Sequence, residues 1–201
     1  MTEKKGLLLV VSGPSGVGKG TVCKKLLERG GQMKLSVSAT TRSMRKGEVE
    51  GQSYYFKTHE EFERMIADNE LLEYAEYVEN YYGTSLKAIQ DRLDAGCDVL
   101  LDIEVQGAAK VKARCPEALF IFIIPPSFEE LSRRLHGRNT DSEDVITGRL
   151  EKSRVEFRQI PNYDYLVIND KVSNAVQEIE AILTAAECRV ENRRHILSQF
   201  T

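Results

Sequence analysis

Apolar runs of strand length recur along the chain. Each of them is followed by a segment in which apolar residues recur at helical spacing. Largely apolar runs are typical of strands that a parallel sheet buries on both faces. Helices are predicted where apolar residues recur three or four positions apart before a stop signal such as Gly. The sequence therefore predicts a parallel α/β core with strands at 7–11, 97–103, 118–124 and 165–168 and helices at 19–29, 104–113, 128–137 and 172–190.

Two stretches depart from this pattern and predict insertions into the core. Residues 33–96 mix a short aromatic strand (SYYF), an amphipathic helix (HEEFERMIADN), an alternating strand (LLEYAEYV), a turn (NYYGT) and another helix (SLKAIQDRLDAG). Residues 126–159 begin with Ser127, which can form a capping box with Glu130, and continue through the polar loop GRNTDSED to a charged helix. We predict a core of residues 1–32, 97–125 and 160–201 with an α+β insertion at 33–96 and a smaller one at 126–159.

Composition narrows the class of protein. A length of 201 residues, with 41% hydrophobic residues, suits one compact core that carries insertions. A net charge of −3 argues against a general nucleic-acid or membrane-surface binder, so any anion site must come from locally placed Arg and Lys. The four cysteines form no CxxC pair or Cys/His cluster, which indicates reduced thiols rather than zinc. The first apolar run is too short for a signal peptide or a spanning helix, so we expect a cytoplasmic protein.

A glycine-rich turn lies between the first predicted strand and the first predicted helix. SGPSGVGKGT fits the phosphate-loop pattern G-x-x-x-x-G-K through Gly13, Gly18 and Lys19. Backbone N–H groups of such a turn and the positive end of the helix dipole bind phosphate oxygens, and Lys19 can reach the β- and γ-phosphates. A turn that only links strand to helix is the alternative, which the complete pattern in its expected context disfavours. The candidate nucleotide-binding residues are Gly13, Pro14, Ser15, Gly16, Val17, Gly18, Lys19, Gly20 and Thr21.

The position after Lys19 normally supplies a Ser or Thr hydroxyl to Mg²⁺, but here it is Gly20 and the hydroxyl is displaced to Thr21. Thr21 is turned by about 100° around the helix, so we do not expect it to replace that ligand. Mg²⁺ keeps several waters and binds substrate phosphates readily, so we expect the nucleotide and water to supply most of its ligands. Asp102, at the end of an apolar strand, is the candidate that steadies the metal through a water molecule. A strand-end cap is its plainer interpretation.

Six segments resemble those of guanylate kinases in order and spacing, and the resemblance covers essentially the whole chain. They are SVSATTRSMRKGEV, YYF, LLEYAEYVENYYGTS, LLDIEVQG, SRRLHGRNTDSE and YDYLVIND. The resemblance implies the fold of the P-loop nucleoside monophosphate kinases, with residues 33–96 binding GMP and residues 126–159 forming a lid. It implies transfer of the γ-phosphoryl group of ATP to GMP with Mg²⁺, small-molecule substrates and no nucleic-acid or membrane partner. The oligomeric state stays open.

The resemblance also implies roles for single residues. Guanine presents N1–H and N2–H₂ as donors and O6 and N7 as acceptors, so its pocket needs carboxylates and hydroxyl or amide donors. Asn169 and Asp170 match a segment near the adenine of ATP, although an Asn-Asp turn is common after a strand. Glu104 stands where the family usually has Asp. The candidate GMP-binding residues are Ser38, Glu73, Thr84 and Glu104 at the base and Arg42, Arg45, Tyr54 and Tyr82 at the phosphate, and the candidate catalytic residues are Lys19, Arg42, Arg134, Arg138 and Arg149.

Taken singly, these residues have plainer interpretations. Glu73 could be a solvated residue of an alternating strand, the tyrosines could pack the small domain, and the arginines could be surface charge. Only the joint match to one base and one phosphate favours a GMP pocket. Two other functions stay open: a kinase of another nucleoside monophosphate, which shares the GKGT ending, and a non-catalytic binding module like those of scaffold proteins. The intact phosphate loop and the lid arginines favour catalysis.

Overall fold

The computed structural model describes residues 5–29, 32–77, 79–137, 142–197 and 199–200, which form two sheets and the helices that connect them. The strands are β1 (Leu8–Ser12), β2 (Lys34–Leu35), β3 (Ala39–Thr40), β4 (Tyr55–Phe56), β5 (Leu71–Tyr77), β6 (Asn80–Ser85), β7 (Val99–Asp102), β8 (Leu119–Ile124) and β9 (Tyr165–Ile168). The helices are α1 (Lys19–Glu28), α2 (His59–Ala67), α3 (Leu86–Asp94), α4 (Val105–Arg114), α5 (Phe128–His136), α6 (Glu143–Phe157), α7 (Val172–Glu187) and α8 (Arg194–Leu197).

The larger sheet is parallel, with the strand order β2-β7-β1-β8-β9. Every residue of β1 is buried because its two faces contribute to different apolar clusters. Leu9 and Val11 pack toward α1 and α7 on one face, and Leu8 and Val10 pack toward α3 and α4 on the other. This burial on both faces explains the apolar runs in the sequence. The predicted α/β class, a parallel core with helices on both faces, is confirmed.

The register of the parallel strands brings four chain segments to one edge of the sheet. Val11 pairs with Asp102 and Ile124 pairs with Ile168, so the segments that follow β7, β1, β8 and β9 leave the sheet at this edge in the order of the strands. The Asn169 N–H donates to the Ile124 carbonyl at 2.8 Å and extends this alignment by one residue. The carboxyl ends of parallel strands are the usual ligand edge of such a sheet.

The smaller sheet is mixed, with the order β4-β3-β6-β5. Phe62 of α2 is fully buried against it and stacks on Tyr81 of β6, with ring centroids 5.2 Å apart. α2 begins with a complete capping box, because the Thr58 hydroxyl accepts from the Glu61 N–H and the Glu61 carboxylate accepts from the Thr58 N–H. This sheet presents β5 toward α4 of the core.

The prediction of a turn at NYYGT is wrong, since these residues lie in β6. They pair in antiparallel register with β5, where Tyr82 faces Ala75 and Thr84 faces Glu73. Gly83 is a strand glycine rather than a turn glycine: a Cβ there would lie 2.9 Å from the Glu73 carbonyl oxygen. The left-handed residue of this hairpin is Glu79, with φ of 61°.

Three further details differ from the sequence expectations. β2 pairs with β7 in the larger sheet although our predicted insertion begins at residue 33, and the domain boundaries otherwise stay predictions. Ser127 accepts from the Glu130 N–H, but the Glu130 carboxylate binds Arg133 and Arg134 instead of completing the capping box. The last long helix ends at Glu187, which leaves Val190 beyond it and 73% exposed. Among the described residues, no helix has both the length and the apolar composition needed to span a membrane.

Candidate active site

The phosphate loop connects β1 to α1 and ends at Gly18, the N-cap of that helix. Gly18 is left-handed, with φ of 88°, and a Cβ on it would lie 2.5 Å from Asn169 Nδ2. Both the conformation and the space therefore require glycine at this position. Within the described residues no side chain caps α1, so its first N–H groups and its positive dipole end are available to an anion.

Lys19 is held at the end of β7 by two acceptors. Its Nζ lies 2.6 Å from Asp102 Oδ1 and 2.9 Å from the Ile103 carbonyl oxygen. The Lys19 side chain is 14% exposed and the Asp102 side chain 28%. Asp102 is thus the ion-pair partner of the lysine, a contact that the sequence interpretation did not foresee.

The Gly20 position faces the same carboxylate. A Cβ on Gly20 would lie 3.7 Å from Asp102 Oδ2, whereas Thr21 is exposed on α1. Carboxylate oxygen is a donor that Mg²⁺ prefers, so Asp102 fits a metal beside the loop. Among the described residues, no group of three or more His, Cys, Asp or Glu side chains could hold a metal by itself. A metal here would therefore take most of its ligands from the nucleotide and from water.

Glu73 and Thr84 form a buried pair across β5 and β6. Thr84 Oγ1 donates to Glu73 Oε1 at 2.8 Å, and the two residues are 1% and 9% exposed respectively. Burial raises the pKa of Glu73, against the opposing effects of the Thr84 hydrogen bond and the Lys110 charge. The interpretation of Glu73 as a solvated strand residue is therefore wrong.

A close approach of α4 completes the surroundings of Glu73. A Cβ on Gly107 would lie 3.1 Å from Glu73 Oε2, so only a glycine leaves that oxygen its present space. Glu104, the N-cap of α4, does not share this burial: its side chain is 66% exposed and lies 3.8 Å from Lys152 Nζ of α6. Ser38 is half-buried just before β3, where its carbonyl accepts from the Tyr55 N–H at 2.9 Å.

Arg42 lies among aromatic rings and is paired with a carboxylate. Its two terminal nitrogens contact Glu48 at 3.1 and 2.7 Å. The guanidinium carbon lies 5.4 Å from the Tyr54 ring centroid, and that ring meets Tyr82 edge-on at 6.1 Å. The Glu48 carboxylate raises the pKa of Arg42, and Arg42 in turn lowers the pKa of Glu48.

Glu48 is the residue of this group that sequence reasoning missed. Besides binding Arg42, it accepts from the Arg45 N–H at 2.7 Å, so one carboxylate joins the two arginine positions, while the Arg45 side chain stays exposed. The only sequence signal for this role is an acidic residue shortly after the two arginines in TTRSMRKGE. The structure thus brings Arg42, Tyr54 and Tyr82 together.

The lid candidates occupy different settings. Arg134 at the end of α5 donates to Glu130 Oε1 at 2.7 Å, to the Val17 carbonyl at 3.2 Å and to the Asn169 carbonyl at 2.9 Å. Arg133 and Arg134 together lower the pKa of Glu130 to about 2. Arg149 lies half-buried on α6. Arg138 lies outside the described residues.

Asn169 and Asp170 make contacts with the protein. Asn169 is 3% exposed, and its Nδ2 donates to the Val17 carbonyl at 2.8 Å. The Asp170 carboxylate accepts from the Lys171 N–H at 2.5 Å and from Asn174 Nδ2 at 3.1 Å, at the start of α7. Asp170 thus lies in a bend between β9 and α7, while Asn169 contacts the phosphate loop.

Comparison with known proteins identifies the family. The family model described as guanylate kinase matches residues 5–186. The chain belongs to the guanylate kinase family. It is 50% identical to the guanylate kinase of Desulfitobacterium hafniense over 98% of both chains, and 53% identical to that of Lactococcus lactis over 94% of this chain and 92% of the relative. A crystal structure of guanylate kinase from Anaplasma phagocytophilum, 38% identical, superposes with a TM-score of 0.71 over 94% of this chain and 90% of that one.

The family assignment confirms the resemblance that pointed to the candidate site residues. The geometry divides those residues into a nucleotide-phosphate group around Lys19, a buried group around Glu73 and a cationic aromatic group around Arg42. The role of each residue in binding or transfer stays a prediction.

Proposed function

We propose that this protein binds ATP at the phosphate loop and GMP between Glu73 and Arg42. It transfers the γ-phosphoryl group of ATP to GMP and gives ADP and GDP, the activity that family membership carries. The single observation that supports the choice of acceptor is the buried Glu73–Thr84 pair. The rival activity on another nucleoside monophosphate does not account for a buried carboxylate at this position.

Guanine complements the buried pair. A carboxylate removed from water is costly unless donors satisfy its oxygens, and among the described side chains Thr84 supplies one such donor. Guanine offers two adjacent donors, N1–H and N2–H₂, on one edge, whereas the same edge of adenine offers one amino group beside a ring acceptor. Extending the antiparallel register of β3 and β6, in which Ala39 faces Gly83, by one residue places Ser38 opposite Thr84. The pocket therefore selects guanine through satisfied hydrogen bonds rather than through shape alone.

The GMP phosphate is assigned to the Arg42 group. A guanidinium binds phosphate through two parallel N–H bonds, and the nearby phenols of Tyr54 and Tyr82 add neutral donors. Glu48 now occupies the terminal nitrogens of Arg42 at 3.1 and 2.7 Å, so it keeps the guanidinium extended until phosphate shares or displaces this contact. The aromatic rings around Arg42 hold its plane in place.

In the transfer step, an oxygen of the GMP phosphate attacks the γ-phosphorus while the bond to the β–γ bridging oxygen breaks and ADP leaves. Such a reaction needs positioning and neutralisation of charge more than covalent chemistry. Lys19 supplies a positive charge to the β- and γ-phosphates when it leaves Asp102, and the lid arginines supply more. When bound with ATP, Mg²⁺ would neutralise phosphate charge, with Asp102 holding one of its waters. Closure of residues 126–159 would exclude water from the site.

The proposed substrates, ATP and GMP, indicate where in the cell this protein acts. We propose a cytoplasmic location, where ATP and GMP are present. Free thiols at Cys23, Cys97, Cys115 and Cys188 fit a reducing compartment.

The function is tested by an acceptor screen. ATP and Mg²⁺ are supplied with GMP, AMP, CMP or UMP in turn, and ADP formation is followed in a coupled assay with product identification by chromatography. We expect GMP to give GDP at a far higher kcat/KM than the other acceptors. Faster turnover of AMP would assign a different substrate, and failure to form GDP with ATP and Mg²⁺ would favour the non-catalytic binding module.

The metal assignment gives a separate prediction. Asp102→Asn should raise the Mg²⁺ concentration for half-maximal rate, because a neutral amide holds a metal-bound water less strongly than a carboxylate does. Thr21→Val should leave that concentration almost unchanged, since Thr21 is exposed on α1, about 100° around the helix from the usual ligand position. A Mg²⁺ titration at saturating ATP and GMP measures both variants.

Binding of ATP with the metal removed provides the control for this prediction. Without Mg²⁺, Asp102→Asn should bind ATP no more weakly than wild type, because Asp102 competes with the phosphates for Lys19. If Thr21→Val shifted the Mg²⁺ titration and Asp102→Asn did not, Thr21 would be the residue that holds the metal.

A further inference from the structure

The Val17 carbonyl, inside the phosphate loop, accepts two side-chain hydrogen bonds. Asn169 Nδ2 donates to it at 2.8 Å and Arg134 Nη1 at 3.2 Å. The two donors are also joined to each other, since Arg134 Nη2 donates to the Asn169 carbonyl at 2.9 Å. They come from the ends of α5 and β9, so two distant segments converge on one peptide group of the loop.

The planarity of the peptide bond links this carbonyl to the ligand side of the loop. In a trans peptide the C=O of Val17 and the N–H of Gly18 point in opposite directions. The carbonyl is fixed toward Asn169, beneath the loop, and the Gly18 N–H therefore points to the other side. Among the described residues, no protein acceptor receives that N–H. It is available to a phosphate oxygen.

The loop would not hold this peptide by itself. Gly18, on the N–H side of this peptide, has a positive φ of 88°, and rotation about its φ bond meets little steric resistance because glycine has no Cβ. Asn169 lies in direct contact with Gly18, where its Nδ2 would be 2.5 Å from an added Cβ. The side chain is 3% exposed, which leaves it no access to a bound base.

We propose that Asn169 and Arg134 are positioning residues that fix the Val17–Gly18 peptide so that the Gly18 N–H points at the phosphates of ATP. The inference rests on the proposed binding of ATP at this loop and deepens it. It gives Asn169 a different task from the adenine contact that the resemblance implied. It also gives Arg134 a task before any lid closure, because its Nε, Nη1 and Nη2 already donate to protein acceptors.

The test compares Asn169→Ala with Val167→Ala. Val167 is fully buried on β9, two residues away, so its truncation also leaves a cavity but removes no hydrogen bond to the loop. We expect Asn169→Ala to raise KM for ATP by about tenfold, equivalent to about 1.4 kcal/mol, and to leave the Kd for GMP alone unchanged. Val167→Ala should lower Tm without changing KM for ATP. Asn169→Ser, which keeps a donor on a shorter side chain, provides the measurement if the alanine variant does not fold.

An NMR measurement reads the proposed geometry directly. Addition of ATP to the wild type should shift the Gly18 amide proton strongly, and Asn169→Ala should reduce that shift. The inference is overturned if Asn169→Ala and Val167→Ala have the same KM for ATP, if GMP binding weakens equally, or if the Gly18 shift is unchanged. Because ATP is added without GMP, a wild type that shows the shift but makes no GDP would overturn the proposed acceptor and support the positioning role.

Discussion

Lys19→Met is expected to lower kcat/KM for ATP by on the order of 10³-fold, the upper range for removal of one preorganised group that stabilises transition-state charge. Methionine keeps the apolar stem of the lysine, which is largely buried beside the end of β7. The variant removes the positive charge that would follow the β- and γ-phosphates through the transfer. Steady-state kinetics at saturating GMP measure the loss.

Two controls make this prediction specific. Lys24→Met removes the same charge from an exposed position of α1 and should retain wild-type kinetics. Lys19→Met also leaves Asp102 without its ion-pair partner at 2.6 Å, so the double variant with Asp102→Asn removes that unpaired charge. If the double variant recovered activity, the loss would come from the unpaired carboxylate and Lys19 would have no direct role at the phosphates.

The core of the fold could be predicted because its signals are local. β8 is an apolar run that is buried on both faces, whereas β9 buries Val167 on one face and leaves Leu166 and Ile168 exposed. The run at residues 165–168 has the bounds of β9 itself. The phosphate loop could be located for the same reason, since its glycines and Lys19 lie within one short segment. The prediction at NYYGT is wrong because Asn and Gly are typical of turns. Only the pairing with β5 shows that Gly83 is needed for a close approach of the two strands.

The contacts that position the site could not be predicted, because they join residues far apart in the chain. Asn169 reaches Val17 across 152 positions, and no periodicity relates the two. The burial of Glu73 has the same origin: its own strand alternates like a solvated one, and the approach of α4 at Gly107 encloses the carboxylate. Arg42 and Glu48 are close in sequence, but their pairing depends on the conformation of the loop between β3 and β4.

Glu73→Gln is expected to lower kcat/KM for GMP roughly 10- to 150-fold. This corresponds to a loss of about 1.5–3 kcal/mol of transition-state stabilisation, the range for a hydrogen bond to a charged group. Glutamine has nearly the same size and can still accept from Thr84 Oγ1. Its amide, however, would present a donor where guanine also presents donors. KM for ATP should stay at the wild-type value. Glu76→Gln makes the same change at an exposed position of β5 and should be neutral.

Although Glu73→Gln should lower activity, it should raise the stability of the folded protein at neutral pH. Burial raises the pKa of Glu73 in the folded protein, so the folded state favours the protonated acid. The stability that this preference contributes is present below the unfolded pKa, about 4.3 for Glu, and is lost as pH rises through the higher folded value. At neutral pH the buried carboxylate therefore destabilises the ligand-free protein. Glu73→Gln should raise Tm at neutral pH, and the difference should shrink in acid.

The pH dependence of GMP use then tests whether the carboxylate itself recognises the base. In the wild type, KM for GMP should rise as pH falls through the raised pKa of Glu73, because the protonated acid loses acceptor capacity for guanine. The GMP phosphate also gains a proton as pH falls, with a pKa of about 6 for a phosphate monoester. The Glu73→Gln variant is subject to the same titration of GMP but has no carboxylate at this position. The KM for GMP of the variant divided by that of the wild type therefore isolates the effect of the Glu73 charge. This ratio should approach one in acid and grow toward neutral pH; a ratio constant with pH would mean that the charge on Glu73 takes no part in binding guanine.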